Sequence, residues 1–182
     1  MNKTLMHICC APCANRPIAV LRQEGVEPVG FWYNPNIHPY TEYQARKHTL
    51  EDYCKEISMK LIIGGTYDLR SFVTAVAGDL DHRCGYCYQC RLEATASYAA
   101  QNGFDSFTTS LLISPYQNYE AICAIGYKMA GKYGVTFLEQ DFRPLFREGQ
   151  DFARAHGMYM QKYCGCIFSE EERYCKKKRA AQ

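Results

Sequence analysis

The stretch Met6-His7-Ile8-Cys9-Cys10-Ala11-Pro12-Cys13 decides how the rest of the chain is read. A short apolar run, Leu5 to Ile8, delivers three thiols within five positions, and Pro12 stops the strand just beyond the first two. Successive side chains on an extended segment point to opposite faces, so Cys9 and Cys10 are expected to serve two neighbouring sites unless the chain turns between them. In a parallel sheet the loop after the first strand lies outside the carboxyl ends of the strands, where open α/β sheets bind ligands. Cysteines at 84, 87 and 90, and at 164 and 166, are candidates for the same edge.

Outward from that stretch, strands and helices alternate. Asn15 is read as the cap of a helix with Pro17 in its first turn, running to about Glu24 and ended by Gly25. Glu27 to Tyr33 is a largely apolar second strand, followed by the loop Asn34-Pro35-Asn36-Ile37-His38-Pro39. Thr41-Glu42-Tyr43-Gln44 has the capping-box pattern and opens a helix to about Ile57. Met59 to Ile63 is a strand, Asp68 caps a helix through Val76, and Arg83 to Gln101 is a helix stopped by Asn102-Gly103. Phe104 to Leu112 is a strand, Asn118 to Lys132 a helix and Val135 to Leu138 a fifth strand. Gly149 to Tyr163 is read as a helix leading into Cys164-Gly165-Cys166, and the tail Lys176-Lys177-Lys178-Arg179 as solvated.

This alternation predicts βαβ units and a three-layer α/β fold with a mostly parallel sheet of about five strands. Right-handed crossovers then put Cys9, Asn34, Gly64, Ser110 and Asp141 at one edge. The 182 residues show no internal repeat and no linker. They are read as a single domain over 1–182, with a metal-binding helical segment near 79–101 and a CxC segment near 160–182.

An apolar fraction of 47% with 22% charged residues is ordinary for a globular chain. The formal charge of +2 announces no nucleic-acid binder, although a local basic face matters more than the sum. No run approaches a membrane span and the first residues lack a signal-peptide pattern, so a cytoplasmic protein is expected. Eleven cysteines in a reducing compartment argue for metal or redox chemistry rather than a disulfide framework. No glycine-rich phosphate loop follows the first strand, which lowers nucleotide-hydrolysis readings.

On an ideal helix Cys84 and Cys87 share a face, whereas Cys84 and Cys90 lie about 120° apart. Cys84 and Cys87 are therefore the favoured ligands, with Cys90 turned to the core. Gly165 permits the bend that aims Cys164 and Cys166 at one centre. Cys54, Cys123 and Cys175 are isolated and read as structural. A structural zinc takes four ligands. Cys9, Cys10, Cys13, Cys84, Cys87, Cys164 and Cys166 exceed that number, and together suit a four-thiolate cluster plus a second metal with an open position. His7 is read as a satisfied, half-buried histidine, His38 and His82 as loop residues able to donate a proton, and Asp81 and Asp141 as oxygen ligands or loop partners. A thiol–disulfide oxidoreductase using Cys84 and Cys87, and a zinc-stabilised RNA-binding module, are the rival readings.

Several stretches resemble the QueH family of cobalamin-independent epoxyqueuosine reductases. They are His7 to Cys13, Tyr33 to Pro39, Arg83-Cys84-Gly85-Tyr86-Cys87 with Arg91-Leu92, Phe107 to Pro115, Asp141-Phe142-Arg143, and Gln161 to Ser169. The chain departs from the family's pattern at Asp79-Leu80-Asp81-His82 and at Met160. The resemblance implies a HUP-like, Rossmann-like fold carrying a [4Fe-4S] cluster beside a mononuclear metal, expected to be iron. It implies reduction of epoxyqueuosine in the tRNA anticodon to queuosine, with electrons from an external donor. Cys9, Cys164, Cys166 and His38 are the candidates for the reacting centre, and Cys10, Cys13, Cys84 and Cys87 for holding the cofactor. The division of the thiols between two metals stays open. Tyr33, Tyr40, Tyr43, Tyr116 and Tyr119, with Arg46, Lys47, Arg143 and Arg147, are the candidate RNA contacts.

Overall fold

The computed structural model describes residues 3–175, so the tail Lys176–Arg179 lies outside the described residues. Five strands, β1 (Thr4–His7), β2 (Pro28–Trp32), β3 (Leu61–Ile63), β4 (Ser106–Thr109) and β5 (Thr136–Phe137), pair wholly in parallel in the order β3-β2-β1-β4-β5. The connecting helices are α1 (Ala11–Gln23), α2 (Tyr40–Glu56), α3 (Leu69–Val76), α4 (Arg83–Gln101), α5 (Tyr119–Tyr133) and α6 (Phe146–Ala155), with α7 (Ile167–Tyr174) last. This is the expected three-layer, HUP-like α/β architecture. The strand order reverses between β1 and β4, which makes the space beyond their carboxyl ends the topological switch point.

Alternation along β1 and β2 supplies both layers. Leu5 and Phe31 join a core with Leu92, Phe107 and Ile122, whereas Met6, Ile8 and Trp32 join one with Ile18 and Leu50. Each such side chain, fully buried, contributes roughly 1.5–3 kcal/mol. A sheet covered on both faces leaves few polar positions in its strands, as β2 shows.

A polar network fixes the carboxyl ends of the central strands. His7 is fully buried, with Nδ1 2.9 Å from Thr109 Oγ1 and Nε2 near the Tyr33 carbonyl and Asn34 Oδ1. Asn34 Nδ2 donates to the Ile8 carbonyl and Thr109 Oγ1 accepts from the Leu111 N–H, so Nε2 of His7 carries the proton and Nδ1 accepts from Thr109. Burial and the nearby Arg91 push the His7 pKa down to about 4. The satisfied histidine read from the sequence is what the structure contains.

Four local expectations change. Helix α2 starts at Tyr40 after Pro39, with no side-chain cap in place of the expected capping box at Thr41. Helix α1 starts at Ala11, ahead of Asn15, because Pro12 suits a first helical turn that needs no N–H partner. Pro17 consequently falls inside the helix, and the Asn15 amide donates to the Pro12 and Gly149 carbonyls instead of capping. Strand β4 ends at Thr109 and passes into the 3-10 turn Ser110–Ile113. Helix α6 ends at Ala155 because Gly157 adopts a left-handed conformation (φ 63°), with the Met158 N–H returning to the Ala153 carbonyl. Residues 158–166 then run back to the thiol edge, and α7 follows where no helix was expected. By contrast α4 spans the residues read for it, and Asp68 and Asn118 cap α3 and α5 through Ser71 and Ala121 N–H groups.

Candidate metal centre

The first thiol set forms because β1 ends at His7 and the chain turns before α1. Cys9 leaves the strand, Cys10 is the extended N-cap residue of α1, and Cys13 lies in its first turn. Cys9 and Cys10 therefore do not point apart. Their Sγ atoms are 3.8 Å apart, and the three Sγ atoms of Cys9, Cys10 and Cys13 lie within 4.8 Å of one another. Two thiolates each about 2.3 Å from one tetrahedral ion stand about 3.8 Å apart, so this triad fits a single metal.

Ser110, arriving from β4, holds the triad. Its Oγ accepts from the Cys9 N–H at 3.1 Å and donates to Cys9 Sγ at 3.4 Å. Hydrogen bonds from Cys10, Cys13 and Ser110 hold the Cys9 thiol well below its ordinary range, and burial pushes Cys10 up. Gln161 donates from Nε2 to Cys10 Sγ at 3.0 Å and to Cys13 Sγ at 3.4 Å, while its Oε1 is buried without a partner.

A second set lines one cavity of about 190 Å³, open to solvent at Cys84 and Cys164: Cys84 and Cys87 come from the first turns of α4, and Cys164 and Cys166 from the loop before α7. Among the described residues no three of these thiols approach one another as closely as the triad does. The wider spacing suits a multi-iron cluster, which takes one thiolate at each iron, better than a single ion. Cys90 is not in the wall and its Sγ faces the Cys87 carbonyl at 3.5 Å. Burial pushes the Cys87 thiol well up and the Cys84 thiol up.

Charge complements the thiols. Arg91, 2% exposed, reaches the cavity wall with Nε donating to the Cys87 carbonyl at 2.8 Å, and among the described residues no carboxylate pairs with it. Arg83 pairs with Glu172 at 2.5 Å, and its Nε is buried without a partner beside the same cavity. Guanidinium groups facing thiols, one with an orphaned N–H, fit an anionic thiolate-bound group.

The CxC loop is held from behind. Arg46, 2% exposed and bonded through Nε to Glu42, donates from Nη1 to the Cys164 carbonyl at 2.9 Å and from Nη2 to the Tyr163 carbonyl at 3.0 Å. His38, expected as a proton donor, has its ring buried against Tyr67 and Phe72, with Nε2 bonded to the Pro35 carbonyl. Burial pushes its pKa down. What it gives the site is backbone: its N–H donates to the Gly165 carbonyl and its carbonyl accepts from the Tyr163 hydroxyl. The reason is local, since the aromatic cluster claims the ring.

Other expectations resolve in the same way. Arg46 and Tyr43 are buried in the fold and face no RNA. Lys47 pairs with Glu51, and Arg143 is bonded to Asp141 and stacked on Tyr119. Asp141 is thus a loop salt-bridge partner, and His82 bonds Asp79 on the surface. Cys54 and Cys123 are buried but belong neither to the triad nor to the cavity wall, and Cys175 is exposed. The sequence places Ser110 at the edge and Arg91 and Gln161 within family-like stretches, and offers Arg46 as an RNA contact, but shows none of them, nor Gln117, as a support of the thiols. Arg91 had a signal, standing four residues after Cys87 and seven after Cys84 on one helix face.

A family model described as epoxyqueuosine reductase QueH matches residues 4–172. The epoxyqueuosine reductase QueH of Thermotoga maritima is 37% identical over 182 residues, covering 95% of this chain and 93% of its own. That of Dehalococcoides mccartyi is 34% identical over 174 residues, covering 96% of each chain. Among solved structures, a predicted subunit of tRNA methyltransferase from Methanocaldococcus jannaschii shares the fold, with a TM-score of 0.54 at 15% identity over 84% of this chain and 76% of that one. With its fold, its thiol-bearing motifs in order and near-full-length identity to two such reductases all in agreement, the chain belongs to the epoxyqueuosine reductase QueH family.

Proposed function

We propose that this protein reduces epoxyqueuosine in tRNA to queuosine, using a [4Fe-4S] cluster held by Cys84, Cys87, Cys164 and Cys166 beside a single iron held by Cys9, Cys10 and Cys13. Membership of the family makes the chain an epoxyqueuosine reductase, an oxidoreductase. The observation that carries the metal assignment is the convergence of seven thiols from three distant segments on the switch-point edge, as one tight and one wider set.

Removing the epoxide oxygen breaks two C–O bonds and forms an alkene and water, consuming two electrons and two protons. The bound metals would supply electrons singly and a Lewis-acidic position for the departing oxygen. The chain's own residues prepare that chemistry. Arg91 and Arg83 offset the charge of four thiolates, Gln161 and Ser110 orient the triad, and Arg46 with the His38 backbone fixes the CxC loop. The His38 ring, neutral and enclosed by aromatics, is a positioning group. Cys164 is exposed where the thiol cavity meets an open cleft, so solvent can deliver protons there.

No flavin or nicotinamide fingerprint accompanies this site, so the electrons come from a separate donor. No helix among the described residues is long and apolar enough to cross a membrane. A thiol set that must stay reduced supports a cytoplasmic location.

The test is an anaerobic reaction of iron-reconstituted protein with dithionite and epoxyqueuosine-containing tRNA, read by mass spectrometry of the nucleosides. Queuosine should appear without cobalamin. Iron-replete protein that leaves the epoxide untouched would overturn the assignment.

A further inference from the structure

Next to the thiol cavity lies an open cleft of about 500 Å³, walled by Tyr116, Gln117, Gln161, Lys162, Cys164 and Arg173. Tyr116, Gln117 and Cys164 also wall the cavity, so a ligand seated in the cleft meets the thiol edge directly. The volume falls within the range of about 300–1,000 Å³ usual for small-ligand pockets.

Tyr116 is 84% exposed, more than any other large apolar side chain described. Its ring meets that of Phe146 at 83° with centroids 5.7 Å apart, and its N–H donates to Ser114 Oγ. The ring is therefore held at a set tilt while most of it stays bare. An extruded base stacks on an exposed aromatic ring of this kind.

Polar groups surround the ring. Gln161 stands in the cleft wall with its amide turned inward, Nε2 donating to Cys10 and Cys13 Sγ and Oε1 buried. Gln117 spans the boundary, its Nε2 donating to Cys164 Sγ at 3.2 Å. Lys162 and Arg173 on the wall, and Arg147 beside Phe146, form no ion pair among the described residues. The two cations in the cleft wall, Lys162 and Arg173, suit backbone phosphates.

We infer that this cleft receives the flipped-out modified base of the anticodon, with Tyr116 as its stacking platform and Lys162 and Arg173 holding the flanking phosphates. The inference rests on the epoxyqueuosine reductase reading and names the residues that bind that substrate.

The experiment measures binding of an anticodon stem-loop carrying epoxyqueuosine to the iron-loaded enzyme by fluorescence anisotropy, with turnover followed in parallel. Tyr116→Ala should weaken binding about tenfold or more, and Tyr116→Phe should stay within about twofold because the ring does the stacking. Lys162→Ala and Arg173→Ala should each flatten the salt dependence of binding. Wild-type affinity in Tyr116→Ala, or an equal loss in both Tyr116 variants, overturns the pocket; if the wild-type enzyme still turns over, the reductase reading stands. Binding that depends on the Tyr116 ring, in an enzyme that does not reduce the epoxide, keeps the pocket and overturns that reading.

Discussion

Arg91 lies inside α4 with one N–H bonded to the Cys87 carbonyl and no carboxylate beside it among the described residues. A buried cation without a counter-charge costs several kcal/mol, so its partner must be the thiolates of the cavity it lines. Replacing it with an apolar residue of similar length removes that cost wherever the thiols are protonated. Arg91→Met should leave the chelator-stripped protein as stable as wild type or more so in urea, yet lower the iron retained after desalting; unchanged iron content would dissociate Arg91 from the metal. Cys54 illustrates a thiol with no such role. Burial pushes its pKa up to about 11, so below pH 9 both folded and unfolded states hold the proton. Between pH 9 and 11 the unfolded chain loses it first, and folding loses at most about 2–3 kcal/mol. The stability difference between wild type and Cys54→Ala should hold steady from pH 6 to 8 and narrow between pH 9 and 11. Denaturation curves across that range check the sign, and turnover at neutral pH should be unaffected.

At the scale of elements, the CxC loop has no regular structure and takes its shape from α2. Arg46 is the connection, with a buried ion pair on one side and two carbonyls on the other. Arg46→Met strands Glu42 in the interior and releases both carbonyls, a loss of about 3–5 kcal/mol by analogy with other broken buried pairs. Arg46→Lys keeps the charge but lacks the planar fork that serves three acceptors at once, so it should fold better than Arg46→Met while still losing cluster absorbance. Strand β3 sets a different limit. A Cβ on Gly64 would stand 2.2 Å from the Phe31 ring, which the Tyr98 and Tyr33 rings flank. Gly64→Ala must displace that ring and should cost about 1–3 kcal/mol, measured as a lowered urea midpoint with an unchanged slope.

At the scale of the whole molecule, the two thiol sets differ in what holds them. The triad is anchored by β1, β4 and α1 through the His7, Asn34 and Ser110 bonds, inside the best-buried part of the sheet. The second set joins α4 to residues 164 and 166, far away in sequence, across a small satellite core of Phe72, Val76, Cys87 and Cys166. Metal binding adds most where the fold supplies least. Removing iron should therefore lower Tm and speed amide exchange at Cys164–Ser169 and the start of α4, while the amides of β1, β2 and β4 keep their protection. Uniform loss of protection across the sheet would contradict this division.

The apolar runs Leu5 to Ile8, Glu27 to Tyr33 and Phe104 to Leu112, and the caps at Asp68 and Asn118, determined by themselves that helices and strands alternate, and with that the parallel sheet and its ligand-bearing edge. Periods of 2 and 3.6 are local properties, so one segment suffices to show them. The spacing of Cys84, Cys87 and Cys90 likewise separated the two wall thiols from the third. What the sequence left open was decided by contacts across long separations. Cys9 and Cys10 belong to one triad because α1 begins at Ala11, which depends on Asn15 reaching the Gly149 carbonyl as much as on Pro12. The His38 ring is claimed by Tyr67 and Phe72, and Arg46 by residues 163 and 164, more than a hundred positions away. Buried polar side chains are placed by the partners that satisfy them, and those partners are adjacent only once the chain has folded.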